Sequence, residues 1–455
     1  MGHTYKKLAL LFGDIALFYA SLFVALSLRK LSLISTSYWN EHWPPFSIVL
    51  IIWIVVFFIN DLYNLRTVHY APALLNKIIG SMLINLVITS SFFYITAKYF
   101  SLKPQTILLL TTLIFSILFY LWRQIVNYFF TSDVFANNLI FIGFNKITSE
   151  LIDFIEKRPH LGFRVKTIID DEKPTHERVN ALALADEGVK KLFADANSSH
   201  TIVLSLHHYQ NKELLNLLYA HLTPRTTIVS LPKFYEFTTG KIPIYQIGQA
   251  WVLENFMGEP RKMFNALKRL MDIVSATVLG IIAIILTPFI ALAIYLESGL
   301  PIFFKQTRVG YMGKNFLAVK FRTMVKDSEK SGPMWAVKND PRVTRVGRFL
   351  RKTRLDELPQ LLNVLKGDMS LVGSRPERPE FVLDLVKEIP FYKERLLVKP
   401  GLTGWAQVNF PYGASKEDAL EKLQYDLYYL KNRSLGLELS IILKTIRTVL
   451  TQKGQ

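Results

Sequence analysis

Before residue 130 the chain alternates long apolar runs with short polar breaks, at Leu8–Leu28, Phe46–Asn60, Ile78–Ile95 and Thr106–Leu121. Crossing about 30 Å of hydrocarbon takes about 20 helical residues, a length each run approaches. Trp39, Trp43, Tyr63, Tyr99 and Trp122 sit at run edges, where interfacial aromatics gather. Residues 1–130 are therefore predicted to form four transmembrane helices, with buried soluble helices as the bland alternative. A cleaved signal peptide is a poor reading: the first run lacks a small-residue cleavage site and three more runs follow it. Asp14 interrupts the first run, and a carboxylate in hydrocarbon is costly. No partner for it is legible, so it reads as a helix-packing or edge residue.

From Asn138 the period changes. Leu139–Ile142, Arg164–Ile169, Thr201–Leu206 and Thr226–Leu231 read as short strands, with helical stretches such as Ser149–Lys157 and Lys212–Leu222 between them. This alternation predicts a parallel α/β sheet over residues 131–250, Rossmann-like in outline. A dinucleotide fold would place G-x-G-x-x-G at the first turn, but only Gly143 is present; Asn145 and Thr148 stand at the other two positions. Tight NAD binding is not expected. A structural or regulatory domain is the better reading.

A fifth apolar run, Ile273–Leu296, is preceded by Lys268 and Arg269 and followed by Lys305 and Arg308. Basic residues on both flanks suggest that both ends face the same side. Pro288 would remove a helix hydrogen bond and bend the helix. Residues 251–300 thus fit a re-entrant helix, against an ordinary spanning helix as the default.

Composition sharpens the classes. The chain has 455 residues, 50% of them apolar and 20% charged, fewer charges than a soluble globule carries. No cysteine is present, which excludes disulfides, Cys-ligated zinc, iron–sulfur clusters and thiol nucleophiles. The nine histidines fall between His3 and His221, so chemistry in the later half must use carboxylates, Lys, Arg, Ser, Thr, Tyr or an oxygen-bound metal. Net charge is +18, of which +14 lies from Arg261 onward. Beside membrane segments such an excess suits an anionic lipid surface or an anionic small substrate better than nucleic acid.

The stretch from Lys320 to Phe381 is dense in chemistry. Arg342, Arg345, Arg348 and Arg351 recur every three residues among Val343, Val346, Phe349 and Leu350. On a helix this pattern sets a cationic stripe beside an apolar one, as at an anionic membrane surface; a solvated face is the bland reading. Arg354-Leu-Asp356-Glu357-Leu-Pro-Gln360 follows, then Gly373-Ser-Arg375-Pro376-Glu377. Adjacent carboxylates among arginines suggest a place where phosphates and a hard cation meet, although Asp-Glu pairs are common by chance.

Taken together, residues 261–455 resemble the catalytic domain of the bacterial polyprenyl-phosphate sugar-1-phosphate transferases, the monotopic phosphoglycosyl transferases. The resemblance runs through Lys268-Arg-Leu-Met-Asp272, Phe304-Lys-Gln-Thr-Arg-Val-Gly310, Lys320-Phe-Arg-Thr-Met324, the Asp356-Glu357-Leu-Pro-Gln360 block, Gly373-Ser-Arg-Pro-Glu377, Pro400-Gly-Leu-Thr-Gly-Trp-Ala-Gln-Val-Asn409 and Tyr425-Asp-Leu-Tyr-Tyr429. Ser374 departs from the family, whose members often have Pro there. The layout resembles the long form: an N-terminal four-helix transmembrane bundle, a degenerate α/β Rossmann-like middle domain, a re-entrant membrane helix, and a mainly α catalytic domain over residues 301–455.

The resemblance implies transfer of a hexose-1-phosphate from a UDP-hexose to undecaprenyl phosphate, with release of UMP. The product is the first lipid-linked intermediate of exopolysaccharide, capsule or O-antigen assembly. It implies Asp356 as nucleophile, Glu357 as the main Mg²⁺ ligand, and Lys320 and Arg354 as phosphate contacts. Arg375 and Pro376 are implied at the nucleotide, with Asp426 as a second carboxylate nearby. Lys268, Arg269, Pro288, Arg345, Arg348 and Arg351 are expected to serve the membrane and the lipid phosphate. The expected location is the bacterial cytoplasmic membrane, multi-pass, with the catalytic domain on the cytoplasmic face where nucleotide sugars are found. Inner-membrane lipids are partners, a homodimer is expected of the layout, and glucose or galactose is the expected sugar.

Two rival classes fit the chain less well. A membrane-anchored nucleotide-sugar dehydratase or epimerase needs a working glycine loop and a well-placed Tyr-x-x-x-Lys. The matches Tyr94/Lys98, Tyr99/Lys103 and Tyr412/Lys416 are badly placed for it. A non-catalytic scaffold of polysaccharide assembly would tolerate Asp356→Asn.

Overall fold

The computed structural model describes residues 2–64, 71–97, 104–131, 137–172, 179–194, 200–221, 226–257, 261–326, 328, 340–410, 413 and 415–450. Lys98, Tyr99, Lys103 and Tyr412 lie outside them. The chain divides into two compact units, Met1–Phe234 and Tyr235–Gln455.

The first unit opens with α1 (Gly2–Lys30), α2 (Thr36–Ile59), α3 (Ala71–Ile95) and α4 (Gln105–Thr131). All four are long and apolar enough to cross a membrane. They run past the short apolar cores seen in the sequence, α2 by residues 36–45 and α3 by residues 71–77 at their N-terminal ends. Their shared core is aromatic: the Phe18 and Trp53 rings lie 5.2 Å apart, Trp53 and Phe115 5.3 Å, Phe57 and Phe119 5.0 Å. Asp14 has partners here. Its Oδ2 accepts from Arg123 Nη2 at 2.7 Å and from the Tyr63 hydroxyl at 2.6 Å. Beside it, a Cβ on Gly13 would fall 2.4 Å from the Trp122 ring, so α1 and α4 touch closely where the ion pair forms.

The unit continues with β1 (Asn137–Ile142), α5 (Lys146–Glu156), β2 (Phe163–Asp170), β3 (Asn180–Ala183), α6 (Glu187–Ala194), β4 (His200–Leu204), α7 (Lys212–Ala220) and β5 (Thr226–Ser230). The strands form one parallel sheet of order β3-β2-β1-β4-β5. Ile140, Ile142, Ile169, Ile202 and Leu204 bury one face against α6 and α7, as expected of a parallel sheet. At the turn after β1, Gly143 has φ +95°, and a Cβ there would meet Ser205 at 2.5 Å and the His208 ring at 2.9 Å. The chain's own side chains thus crowd the place where a dinucleotide phosphate would approach, which disfavours the dehydratase reading.

The chain passes by α8 (Leu231–Thr239) into the second unit: α9 (Gln249–Phe256), α10 (Lys262–Ser298), β6 (Phe303–Val309), β7 (Asn315–Phe321), α11 (Arg345–Thr353), α12 (Leu361–Lys366), β8 (Ser370–Val372), α13 (Pro379–Glu388), β9 (Gly401–Thr403), α14 (Trp405–Asn409), α15 (Lys416–Asn432) and α16 (Leu435–Leu450). Residues the sequence pattern groups with the sheet belong to this unit's core: Ile242, Ile244 and Ile247 pack with Leu423, Leu427 and Ile441. The reason is local pairing, since Ile242 N–H donates to the Gln424 carbonyl and the Trp405 indole to that of Gly240.

α10 is one 37-residue helix that runs through Pro288, and it is also apolar enough to cross a membrane. Both of its ends are tied to the same unit. Near its start, Asp272 Oδ1 accepts from the Ser370 hydroxyl and Leu371 N–H, at 3.0 and 2.9 Å. At its end, Arg322 Nη2 donates to the Ser298 and Gly299 carbonyls. Ala276 and Ala283 pack toward Leu361 and Val364, while Leu286, Ile290 and Ile294 pack toward Phe321 and Leu350.

Candidate active site

Asp356 and Glu357 lie in a 3₁₀ turn, Leu355–Gln360, that follows α11 directly. The joint is Arg354, held left-handed at φ +60°, which stops α11 and swings the next residues inward. Pro359 has no N–H to give a longer helix, so the turn stays short. β7 lies alongside and brings Lys320 to the same place.

Glu357 is buried and faces three cations. Its Oε1 is 2.7 Å from Arg375 Nη2, 3.3 Å from Lys320 Nζ and 3.6 Å from Arg354 Nη1. Burial pushes its carboxyl up, but Arg375, Lys320 and Arg354 outweigh it and hold Glu357 well below the ordinary range. Asp356 is equally buried, and its Oδ1 has no hydrogen-bond partner. Burial, then the Glu357 charge, push Asp356 up to about 6. Lys320 is lowered by burial, with Glu357 opposing.

Arg375 reaches this turn from the loop after β8, and that loop is held by backbone. β8 and β9 pair in parallel, Ser370 opposite Gly401 and Val372 opposite Thr403. Gly373 N–H donates to the Thr403 carbonyl, and Gly401 N–H to that of Ser374. A Cβ on Gly373 would lie 2.2 Å from the Lys399 carbonyl, so the Pro400-Gly-Leu-Thr-Gly block is a backbone-on-backbone contact that only glycine permits. Beneath it, Arg395 acts as a strut. It pairs with Asp426 at 2.8 Å, donates to the Tyr392 hydroxyl at 2.7 Å, and donates to the Arg375 carbonyl at 2.9 Å. Ser374 donates to the Arg395 carbonyl at 3.1 Å. Arg308 donates to the Pro376 carbonyl at 3.1 Å.

The residues singled out in the sequence therefore separate. Asp356, Glu357, Lys320, Arg354 and Arg375 converge, with Pro376 in the same loop. Asp426 is 3% exposed and directed to Arg395; burial raises it and Arg395 opposes. Lys268 donates to Glu438 Oε2 at 2.6 Å and to the Val372 carbonyl at 3.0 Å, under β8. Arg269 donates to the Val364 and Leu365 carbonyls at the end of α12, a cap for that helix. α11 begins at Arg345, so Arg342 precedes the helix and pairs with Asp340 instead of extending the stripe. Arg345 and Arg348 are exposed, whereas Arg351 donates to the Thr323 hydroxyl at 2.8 Å.

Three partners escaped the sequence reading. Arg395 carries no spacing signal. Glu438 could have been noticed as a lone carboxylate within an apolar run, and it accepts from Tyr429 at 2.6 Å as well as from Lys268. Glu297 caps α11, accepting from Arg345 and Val346 N–H at 2.7 and 2.9 Å.

Comparison with known proteins finds relatives of this chain. A family model described as bacterial sugar transferase matches residues 263–452. A UDP-N-acetylgalactosamine-undecaprenyl-phosphate N-acetylgalactosaminephosphotransferase of Aeromonas hydrophila is 43% identical over 237 residues, 50% of this chain and 55% of that protein. A UDP-glucose:undecaprenyl-phosphate glucose-1-phosphate transferase of Xanthomonas campestris pv. campestris is 31% identical over 343 residues, 73% of this chain and 70% of that one. Another of that description, from Escherichia coli (strain K12), is 32% identical over 303 residues, 65% of this chain and 64% of it. The match thus spans between about half and about two thirds of these relatives' own length.

Proposed function

Since the chain belongs to the bacterial sugar transferases, the family of the undecaprenyl-phosphate sugar phosphotransferases, we propose that it transfers a hexose-1-phosphate from a UDP-hexose to undecaprenyl phosphate and so initiates a surface polysaccharide. The observation that carries this reading is the split environment of one turn: Glu357 bound by three cations, and Asp356 buried beside it with an unpartnered oxygen.

In the first step the ionised Asp356 carboxylate attacks the β-phosphorus of UDP-hexose. The bond from that phosphorus to the bridging oxygen breaks, and UMP leaves with the electron pair. In the second, an oxygen of undecaprenyl phosphate attacks the aspartyl phosphosugar, returning the carboxylate and yielding the diphosphate-linked lipid sugar. Attack by an anion on a diphosphate gathers negative charge, which Lys320, Arg354 and Arg375 can offset at the oxygens where it develops. Arg395 and the β8–β9 contact hold the backbone of the Arg375 loop, and Glu357 holds the Arg375 guanidinium, before substrate arrives.

Two adjacent carboxylates, one with an orphaned oxygen, suit a hard cation that also takes phosphate oxygens and water. Glu357 and Asp356 would hold Mg²⁺, which when bound supplies charge neutralisation at the diphosphate. Arg345 and Arg348 on the exposed face of α11 would attract the lipid phosphate. α10, apolar and tied at both ends to one unit, favours a helix that enters and leaves by the same face. α1–α4 would span the membrane, with the transfer at its cytoplasmic side.

The test is UMP release by the full chain in detergent with undecaprenyl phosphate and Mg²⁺, across UDP-glucose, UDP-galactose, UDP-N-acetylglucosamine and UDP-N-acetylgalactosamine. The last two are included because the Aeromonas relative is named for an N-acetylated sugar. Sugar-dependent UMP that disappears with EDTA and in Asp356→Asn is expected. Folded protein silent on every donor overturns the reading.

A further inference from the structure

At the C-terminal edge of the parallel sheet, the transfer chemistry leaves one cluster unused. Asp170 ends β2 and Asp171 follows it, while the turn after β4 carries His207 and His208. Only β1 separates these strands in the sheet, so the two turns come together beside Gly143. One ligand atom from each of Asp171, His207 and His208 lies within 4.8 Å of the other two. The two imidazoles are edge-to-face, with centroids 5.4 Å apart.

His208 is 3% exposed, and its Nε2 lies 3.2 Å from Asp170 Oδ1. Asp170 is itself fixed, since its Oδ2 accepts the Phe144 N–H at 2.7 Å. Metal-binding histidines carry this outer shell: a carboxylate on one ring nitrogen sets the tautomer and makes the imidazole more basic.

We propose that Asp171, His207 and His208 bind a divalent first-row transition ion, Zn²⁺ in kind, with Asp170 as the outer-shell partner of His208. Two imidazoles and a carboxylate suit zinc, and three protein ligands leave a fourth position for water or an added ligand. Mg²⁺ is disfavoured, because it prefers oxygen donors. Tetrahedral ligands on zinc stand roughly 3.4 Å apart. On binding the ion, the two exposed side chains would rotate to close the cluster from within 4.8 Å to that spacing. The ion would tie the end of β2 to the turn after β4 across Gly143, locking the edge of the sheet where open α/β folds bind ligands.

The test uses the full chain in detergent, untagged and stripped with EDTA, titrated with ZnCl₂ by calorimetry and with Co²⁺ followed by its visible absorption. One saturable equivalent is expected, with tetrahedral Co²⁺ bands and a Tm that rises on adding Zn²⁺. His207→Ala and Asp171→Asn should each weaken binding at least ~10-fold, the lower end of what losing even an outer-shell partner costs. Both residues are exposed, so the metal-free Tm of each variant should match that of the parent. His221→Ala, whose ring already faces the Leu217 carbonyl, should bind as the parent does. No saturable equivalent, or parental affinity in both His207→Ala and Asp171→Asn, overturns the site.

Discussion

Asp356 and Glu357 are neighbours in one turn, yet the fold treats their charges in opposite ways. Three cations stabilise Glu357 as a carboxylate, while burial makes ionised Asp356 expensive. Asp356→Asn should therefore lose about 10⁴-fold or more in UMP release, the scale of removing a nucleophile, without loss of Tm. The sign follows from linkage. The folded value of about 6 lies above the ordinary carboxylate value, so ionising Asp356 costs the fold stability as pH rises through 6. In EDTA buffer the variant's Tm should pull ahead of the parent's above pH 6 and converge with it below pH 4, read by scanning fluorimetry. Glu357→Gln should do the reverse, lowering Tm at pH 7, because three cations would then face one another with their shared anion gone. A Tm order of Glu357→Gln above Asp356→Asn would contradict this division of charge.

At the level of elements, two buried ion pairs do different work. Removing one partner of such a pair leaves an uncompensated charge and costs about 3–5 kcal/mol. Asp426→Asn should destabilise the second unit on that scale and loosen Arg375 through Arg395. Its kinetic mark should be a rise in KM for the nucleotide sugar larger than the fall in kcat. Unchanged KM in folded protein would leave the strut a purely structural device. Asp14 and Arg123 join α1 to α4. Asp14→Asn should lower the Tm of the first unit, while a paired Asp14→Leu/Arg123→Leu exchange should recover most of that loss. A paired variant no more stable than the single would show that the charges themselves hold the helices.

For the whole molecule the decisive feature is where charge sits: +14 of the +18 lies from Arg261 onward, in the unit that carries the site. Each basic residue near an anionic surface contributes about 1 kcal/mol to attraction. Arg345→Glu with Arg348→Glu should accordingly raise KM for undecaprenyl phosphate at least ~10-fold in anionic liposomes, leaving KM for the UDP-sugar in place. Added salt should shrink the difference. An equal rise in both constants would assign these arginines to folding.

The sequence alone determined what depends on local pattern. Apolar run length predicts helices able to cross a membrane, strand–helix alternation predicts a parallel sheet, and the missing glycines at Asn145 and Thr148 argue against a dinucleotide loop. The Asp-Glu turn and its arginines could be picked out because reacting groups lie close together in the chain. Only the tertiary structure supplied the rest. Asp14 and Arg123 are 109 residues apart, Lys268 and Glu438 170, and Arg395 and Asp426 31. Nor could the arginine stripe be divided by spacing, since a repeat of three does not say where a helix starts; Glu297, from α10, caps that start. Burial and ion pairing are sums over neighbours that the chain brings together only when folded. That is why Asp356 and Glu357, alike as adjacent letters, differ as acids.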